Sequence, residues 1–282
     1  EYAAQVVAAC KWAKDNPGWT IRSIPSAVNP DGESTGIVDV EIFRDIFSGK
    51  VDGINPHSIA LVCIAHIPTN SGIVNPAVQI GDIIDQFKRE YPSSPQLMYL
   101  LDSCQSIGQL HVDVKKVKCD GLCATGRKYL RGPRGTGFLY ASSASTKVLV
   151  PCQADHDCAP IDYVPTECSS IESKVEDIVS FSYRDGAKRF EFWESNIAMK
   201  LGLGEAVRVI LGKGIDSISS DIIDMANLLR IQLREINGVH LYHDSEAQCG
   251  IVTFQVDGLA PSDGRQQLWD SGFEISVVPA TS

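Results

Sequence analysis

The sequence predicts an α/β architecture built on a mostly parallel sheet, and three observations carry that expectation. Two near-continuous apolar runs, Ser58 to Ile67 and Leu97 to Leu101, have the length and composition of strands buried on both faces. Amphipathic helical patterns alternate with such runs in a strand-helix-strand order. The second run ends in a carboxylate, Asp102, at the carboxyl end where parallel sheets gather their ligands.

In chain order, Glu1 to Ala13 reads as a helix with Val6, Val7 and Cys10 on its inner face, stopped by Asn16-Pro17-Gly18. Thr20 to Ile24 reads as a short strand, Gly32 to Gly36 as a turn and Val38 to Phe47 as a helix. After the strand at Ser58 to Ile67, Pro76 to Tyr91 carries Ile80, Ile83, Ile84 and Phe87 on one side, with Pro at its first position. Val112 to Val117 links the strand ending at Asp102 to a strand at Gly121 to Ala124. A Gly-rich turn, Arg131 to Gly135, then opens a further strand that runs to Tyr140. Residues 144–185 read as irregular. Leu203 to Ile236 is a long helical stretch with a break at Gly212-Lys213-Gly214. Strands at Val239 to Tyr242, Gly250 to Val256 and Glu274 to Val278 surround a helix near Ser262 to Ser271, the pattern of a smaller α+β unit.

The 282 residues are 44% apolar and 21% charged, which excludes a disordered or fibrous chain. With 25 Lys and Arg against 35 Asp and Glu, the formal charge is −10, so phosphate backbones and anionic lipid are disfavoured as partners. No apolar run approaches the ~20 residues of a membrane span. Nine cysteines are too sparse for a disulfide scaffold, and a reducing, cytoplasmic setting is expected. Cys152, His156 and Cys158, with Cys168 beyond, lack the paired Cys-x2-Cys knuckles of zinc sites, so no metal is expected there. Glu172 to Asp177 reads as a solvated acidic face.

Chemistry concentrates between Asp102 and Gly137. Asp102-Ser103-Cys104-Gln105 is followed about 20 residues later by Thr125-Gly126-Arg127-Lys128-Tyr129-Leu130-Arg131-Gly132-Pro133-Arg134-Gly135-Thr136-Gly137, a spacing of neighbouring β-α units. A strand-end carboxylate, a strand-end lysine and nearby hydroxyl and guanidinium groups suit an aldehyde cofactor with a basic ring nitrogen and a phosphate, namely pyridoxal 5′-phosphate (PLP). A lysine whose pKa is lowered by desolvation can condense with the aldehyde, and a carboxylate can keep the ring nitrogen protonated.

These stretches resemble the class V aminotransferases, fold-type I PLP enzymes that include cysteine desulfurases and isopenicillin N epimerases. Asp102 and Gln105 match a strand-end Asp-x-x-Gln; Thr125, Lys128 and Gly132-Pro133-Arg134-Gly135-Thr136-Gly137 match the lysine motif. Ala65 to Gly72 and Arg189-Phe190-Glu191 extend the likeness. The resemblance implies a three-layer α/β/α large domain over residues 1–215 and part of a small α+β domain over 216–282. It also implies a homodimer and a small amino-acid substrate. By the same resemblance Lys128 is the Schiff-base lysine and the base at the substrate α-carbon, and Asp102 pairs with the ring nitrogen. Gln105 and Thr69 contact the phenolic oxygen, Thr125 and Arg127 the phosphate, and Tyr2 stacks on the ring.

Gly126 to Gly137 and Arg189 to Glu194 most resemble the hercynylcysteine sulfoxide lyases of ergothioneine biosynthesis. That likeness implies β-elimination from a cysteine-derived amino acid or its sulfoxide. Arg127 stands where typical desulfurases carry a histidine, and Trp193-Glu194 replaces the Gly-Thr that reaches a partner subunit's phosphate in many relatives. Epimerase, desulfurase and non-catalytic scaffold are the alternatives. If Tyr2 is the stacking residue, the chain is expected to be truncated at both ends, with the substrate-carboxylate arginine beyond Ser282. His66 reads as structural, and Arg189 with Glu191 as an ion pair at the domain junction.

Overall fold

The computed structural model describes residues 2–93, 97–163, 180–242 and 248–278. Helix α1 (Ala3–Asp15) precedes β1 (Ser26–Val28), β2 (Ser34–Val38) and α2 (Val40–Phe47). The centre of the fold is β3 (Leu61–Ala65), α3 (Ala77–Glu90), β4 (Met98–Asp102), the one-turn α4 (Val114–Val117), β5 (Gly121–Thr125) and β6 (Gly137–Ala141). Then come β7 (Ile161–Tyr163), β8 (Ser180–Phe181) and the helices α5 (Ile197–Lys213) and α6 (Ile215–Arg234). The last described elements are β9 (Val239–Leu241), β10 (Phe254–Val256) and α7 (Pro261–Asp270).

The central sheet runs β3-β4-β5-β6, with the first three strands parallel and β6 antiparallel to β5. Alternation along the strands sends Ile64, Tyr99, Leu101, Leu122 and Ala124 to one face. There they meet Phe43 and Ile46 of α2 and Ile80, Ile84 and Phe87 of α3, all buried in one cluster. Tyr99 is fully buried and donates its hydroxyl proton to the Ala77 carbonyl at 3.1 Å, so the aromatic ring enters the core without stranding its polar end. Asp120, just before β5, accepts from the Tyr99 N–H at 2.8 Å and from Lys88 of α3 at 2.5 Å, tying helix and strands at the far end from the site. The opposite face presents Ala65, Asp102 and Cys123, which register places side by side.

Several sequence expectations need correction. Val6, Val7 and Cys10 are exposed, because α1 buries none of its residues. Residues 20–24 form no strand; the strands instead flank Asn29-Pro30-Asp31-Gly32, where the Asn29 side chain accepts from the N–H groups of Asp31 and Glu33. The predicted turn at 32–36 thus falls partly in β2. Pro76 is the N-cap of α3, not its first residue. Residues 274–278 pair with no described strand, and 250–253 lie outside β10, although the Thr253 carbonyl accepts from the Tyr242 N–H at 3.0 Å. The break in the long helical stretch falls where expected, within Gly212-Lys213-Gly214, at Gly214, whose φ of 84° a glycine tolerates. α5 starts earlier than predicted, at Ile197, where the Asn196 side chain accepts from the Met199 N–H at 3.0 Å.

Gly81 shows how tightly α3 lies on α4. A Cβ there would stand 1.9 Å from the Val117 carbonyl oxygen. Gly81→Ala would gain about 1 kcal/mol of helix propensity, but forcing backbone apart in a packed core costs about 1–3 kcal/mol or more. We expect the variant to be less stable than wild type in urea denaturation; an unchanged or raised midpoint would contradict this packing.

Candidate active site

Three strand ends and the loops that leave them build the site. Asp102 is the last residue of β4 and only 7% exposed. Its Oδ1 accepts from the Cys104 N–H at 2.8 Å, the fold-back that a short carboxylate makes with backbone two residues on. Its Oδ2 accepts from Gln5 Nε2 of α1, also at 2.8 Å. Both oxygens are therefore held, and the carboxylate has a defined orientation.

The loop after Asp102 brings Gln105 to the same place. Gln105 Nε2 donates to Thr69 Oγ1 at 3.1 Å, joining the β4 and β3 loops. The Gln105 carbonyl accepts from the buried Gln109 amide, and Gln109 Oε1 accepts from the Gly250 N–H at 2.8 Å. Gly108, with φ 92°, lies so near the backbone after the lysine that an added Cβ would be 2.6 Å from the Tyr129 carbonyl carbon. Only glycine lets the two loops approach this closely.

Thr125 ends β5, and Arg127 and Lys128 follow in a turn closed by the Gly132 N–H on the Gly126 carbonyl (2.7 Å) and the Arg131 N–H on the Lys128 carbonyl (2.8 Å). The Gly-Pro-Arg-Gly-Thr-Gly run folds back over it. Thr136 receives the Gly126 N–H on its carbonyl at 2.8 Å and donates its hydroxyl to the Pro133 carbonyl at 2.6 Å. The motif's glycines and proline thus serve to fix the lysine turn.

One cavity of about 170 Å³ is lined by Tyr2, Thr69, Asp102, Gln105, Thr125, Arg127 and Lys128, with Ala65, Ile67, Pro68 and Cys104 completing the wall. All seven residues singled out in the sequence converge there. Burial lowers the Lys128 pKa below the usual lysine value, against the opposing pull of the Cys104 and Asp102 charges. Its Nζ lies 5.9 Å from the centre of the half-exposed Tyr2 ring. The donor set matches a phosphorylated pyridine aldehyde: an amine that can shed its proton, a carboxylate for a ring nitrogen, and hydroxyl, amide and guanidinium groups for the oxygens. Gln5 escaped the sequence reading, although it sits one helical turn after Tyr2 and so shares its face.

Other sequence candidates lie elsewhere. His66 is held through its backbone, donating its N–H to the Asp102 carbonyl (2.9 Å) and receiving the Asn75 N–H (2.8 Å). Arg189 does not pair with Glu191: it donates to the carbonyls of Arg184 and Leu149, and Glu191 pairs with Lys188. Cys158 is buried and bonds to the Asp155 backbone, while His156 packs on Trp193 at 5.3 Å between ring centres. Cys168 and the acidic run 172–177 lie outside the described residues.

Comparison with known proteins gives the same direction. Residues 50–278 match the family model described as aminotransferase class-V. A probable cysteine desulfurase of Methanothermobacter thermautotrophicus is 27% identical over 215 residues, which is 76% of this chain and 48% of that protein. The chain spans about half the length of the curated relatives it matches. Among solved structures, the apo cysteine desulfurase from Thermococcus onnurineus NA1 superposes with a TM-score of 0.69 at 22% identity, covering 97% of this chain and 59% of that one. The cystine C–S lyase C-DES, solved with its product cysteine persulfide, gives a TM-score of 0.73 at 20% identity, covering 99% and 66%. These likenesses show the fold.

His66 gives a pH prediction. Burial lowers its pKa from 6.5 to about 4, and Nδ1 has no hydrogen-bond partner among the described residues. Its folded pKa lies below its unfolded one, so its stabilising effect is complete above pH 6.5 and is lost as pH falls toward 4. The full gap is worth about 3 kcal/mol. Denaturation midpoints of wild type should fall over this range, and His66→Gln should flatten that part of the profile; parallel profiles would refute the assignment.

Proposed function

The chain belongs to the class-V aminotransferase family, and on that premise we propose that it is a PLP-dependent carbon–sulfur lyase acting on a cysteine-derived amino acid or its sulfoxide. The observation that carries this reading is the convergence of Lys128, Asp102 and the Gln105–Thr69 pair on one cavity. When bound, PLP supplies an electron sink that stabilises negative charge on the α-carbon of an attached amino acid.

In this reading each side chain has one task. Lys128 holds the cofactor carbonyl carbon and, once released from it, is the base at the substrate α-carbon, a task that burial eases by lowering its pKa. Asp102, fixed by Cys104 and Gln5, keeps a proton on the ring nitrogen. Gln105 and Thr69 address the phenolic oxygen, Thr125 and Arg127 the phosphate, and Tyr2 lies against the ring face. Loss of a sulfur group from the β-carbon leaves aminoacrylate, which water converts to pyruvate and ammonia. We read residues 1–215 as the large domain and 216–282 as part of the small one, in a cytoplasmic homodimer.

Arg127 favours the lyase over the desulfurase, because an arginine stays protonated and cannot shuttle a proton to sulfur as a histidine can. The hercynylcysteine sulfoxide lyases remain the model for the substrate on the likeness of Gly126 to Gly137 and Arg189 to Glu194. The naming of curated relatives as cysteine desulfurases supports the second reading, persulfide and alanine formed from cysteine.

The test is a visible spectrum of the protein with PLP, before and after borohydride. We expect a yellow chromophore that reduction fixes on the Lys128 peptide and that Lys128→Ala abolishes. No band in the folded protein would sink the cofactor assignment. With cysteine sulfoxides, pyruvate release supports the lyase; alanine and persulfide from cysteine would establish the desulfurase in its place.

A further inference from the structure

We infer that Asp102, Cys104 and Cys123 form a site for a soft divalent metal ion such as zinc, and that this ion competes with the cofactor for Asp102. Among the described residues, theirs is the one group of three metal-ligating side chains whose ligand atoms lie within 4.8 Å of one another. Tetrahedral zinc, with bonds of about 2.0–2.3 Å to oxygen and sulfur, needs its ligands roughly 3.5–3.8 Å apart. The 4.8 Å limit exceeds these separations by about 1 Å, the order of movement needed to close the site.

The scaffold holds these three residues rigidly. Cys123 lies within β5, directly paired with Asp102 across the parallel ladder. Cys104 is fastened to the same carboxylate through its own N–H, and its thiol hydrogen-bonds that of Cys123. The neighbouring Cys123, burial and Asp102 keep the Cys104 thiol protonated, so the metal must displace its proton to solvent on binding; two thiolates then select zinc or cadmium over magnesium or calcium. One carboxylate and two thiolates around a divalent ion leave a single negative charge, and Arg127, which lines the same cavity as Asp102 and Cys104, brings a guanidinium close to it. Asp102 and Cys104 also line the cavity, so a fourth position opens toward it, as in metal sites that keep a water or a ligand thiolate.

The metal site itself stands on these side chains alone; only the competition rests on the cofactor reading above. Both parts can be tested on the full chain, freed of cofactor and kept reduced with a phosphine, using cobalt(II) as probe and zinc as displacer. We expect a thiolate-to-cobalt charge-transfer band that saturates at one equivalent and is erased by zinc. Cys104→Ser and Cys123→Ser should each weaken cobalt binding by at least about tenfold, whereas serine at the exposed Cys10 and Cys152 should leave it unchanged. Loading with PLP first should weaken cobalt binding by a comparable factor. A folded wild type with no band, or a band that survives both Cys104→Ser and Cys123→Ser, overturns the metal site. A band that responds to those substitutions but ignores PLP overturns the shared use of Asp102 and leaves the metal site standing.

Discussion

The parallel register that sets Ala65, Asp102 and Cys123 side by side is the constraint on which the rest of the site depends. Parallel strands end on the same edge, so every loop that leaves them starts within reach of the others. A slip of one residue in β4 would turn Asp102 toward the face packed by α2 and α3, burying a carboxylate among isoleucines and phenylalanines at heavy cost. The core on that face therefore does more than hold helices. By demanding Ile64, Leu101 and Leu122, it dictates which face Asp102 must take.

Electrostatics at the cavity run against the chain as a whole. The net charge is −10, yet Arg127 and Lys128 both line a space that holds one carboxylate. Burial works to strip the Lys128 proton, and the charges of Asp102 and Cys104 work to keep it. Burial prevails. The outcome is a lysine that gives up its proton more readily than an exposed one, beside an arginine whose guanidinium can meet an anion.

What could be read from the sequence follows from which contacts are local. Lys128 and the Gly-Pro turn lie within one loop, so their mutual geometry is written in a dozen consecutive residues. Asp102 and Gln105 share one strand-end loop, and the strand runs themselves are strongly apolar. The contacts that were not foreseen join segments far apart in the chain. Gln5 reaches Asp102 across 97 residues, and Cys104 meets Cys123 only because two strands pair. Helix α1 misled for a different reason. Val6, Val7 and Cys10 repeat at helical spacing, but periodicity reports an apolar stripe and cannot say whether anything covers it.

Helix α1 also shows how the site and its surroundings depend on each other. Thirteen residues make a marginal helix in water, and this one has no fully buried side chain. Its contacts with the site are the Gln5 amide on Asp102 and the Tyr2 ring near Lys128. A ligand that presses against Tyr2 would add apolar contact to that short list, and one that takes Asp102 Oδ2 would remove the hydrogen bond from it. The placement of α1 and the occupant of the cavity are thus linked through the same two side chains. Because linkage is reciprocal, a ligand that steadies α1 is held more firmly by whatever steadies α1 from outside, and one that loosens α1 is held less firmly.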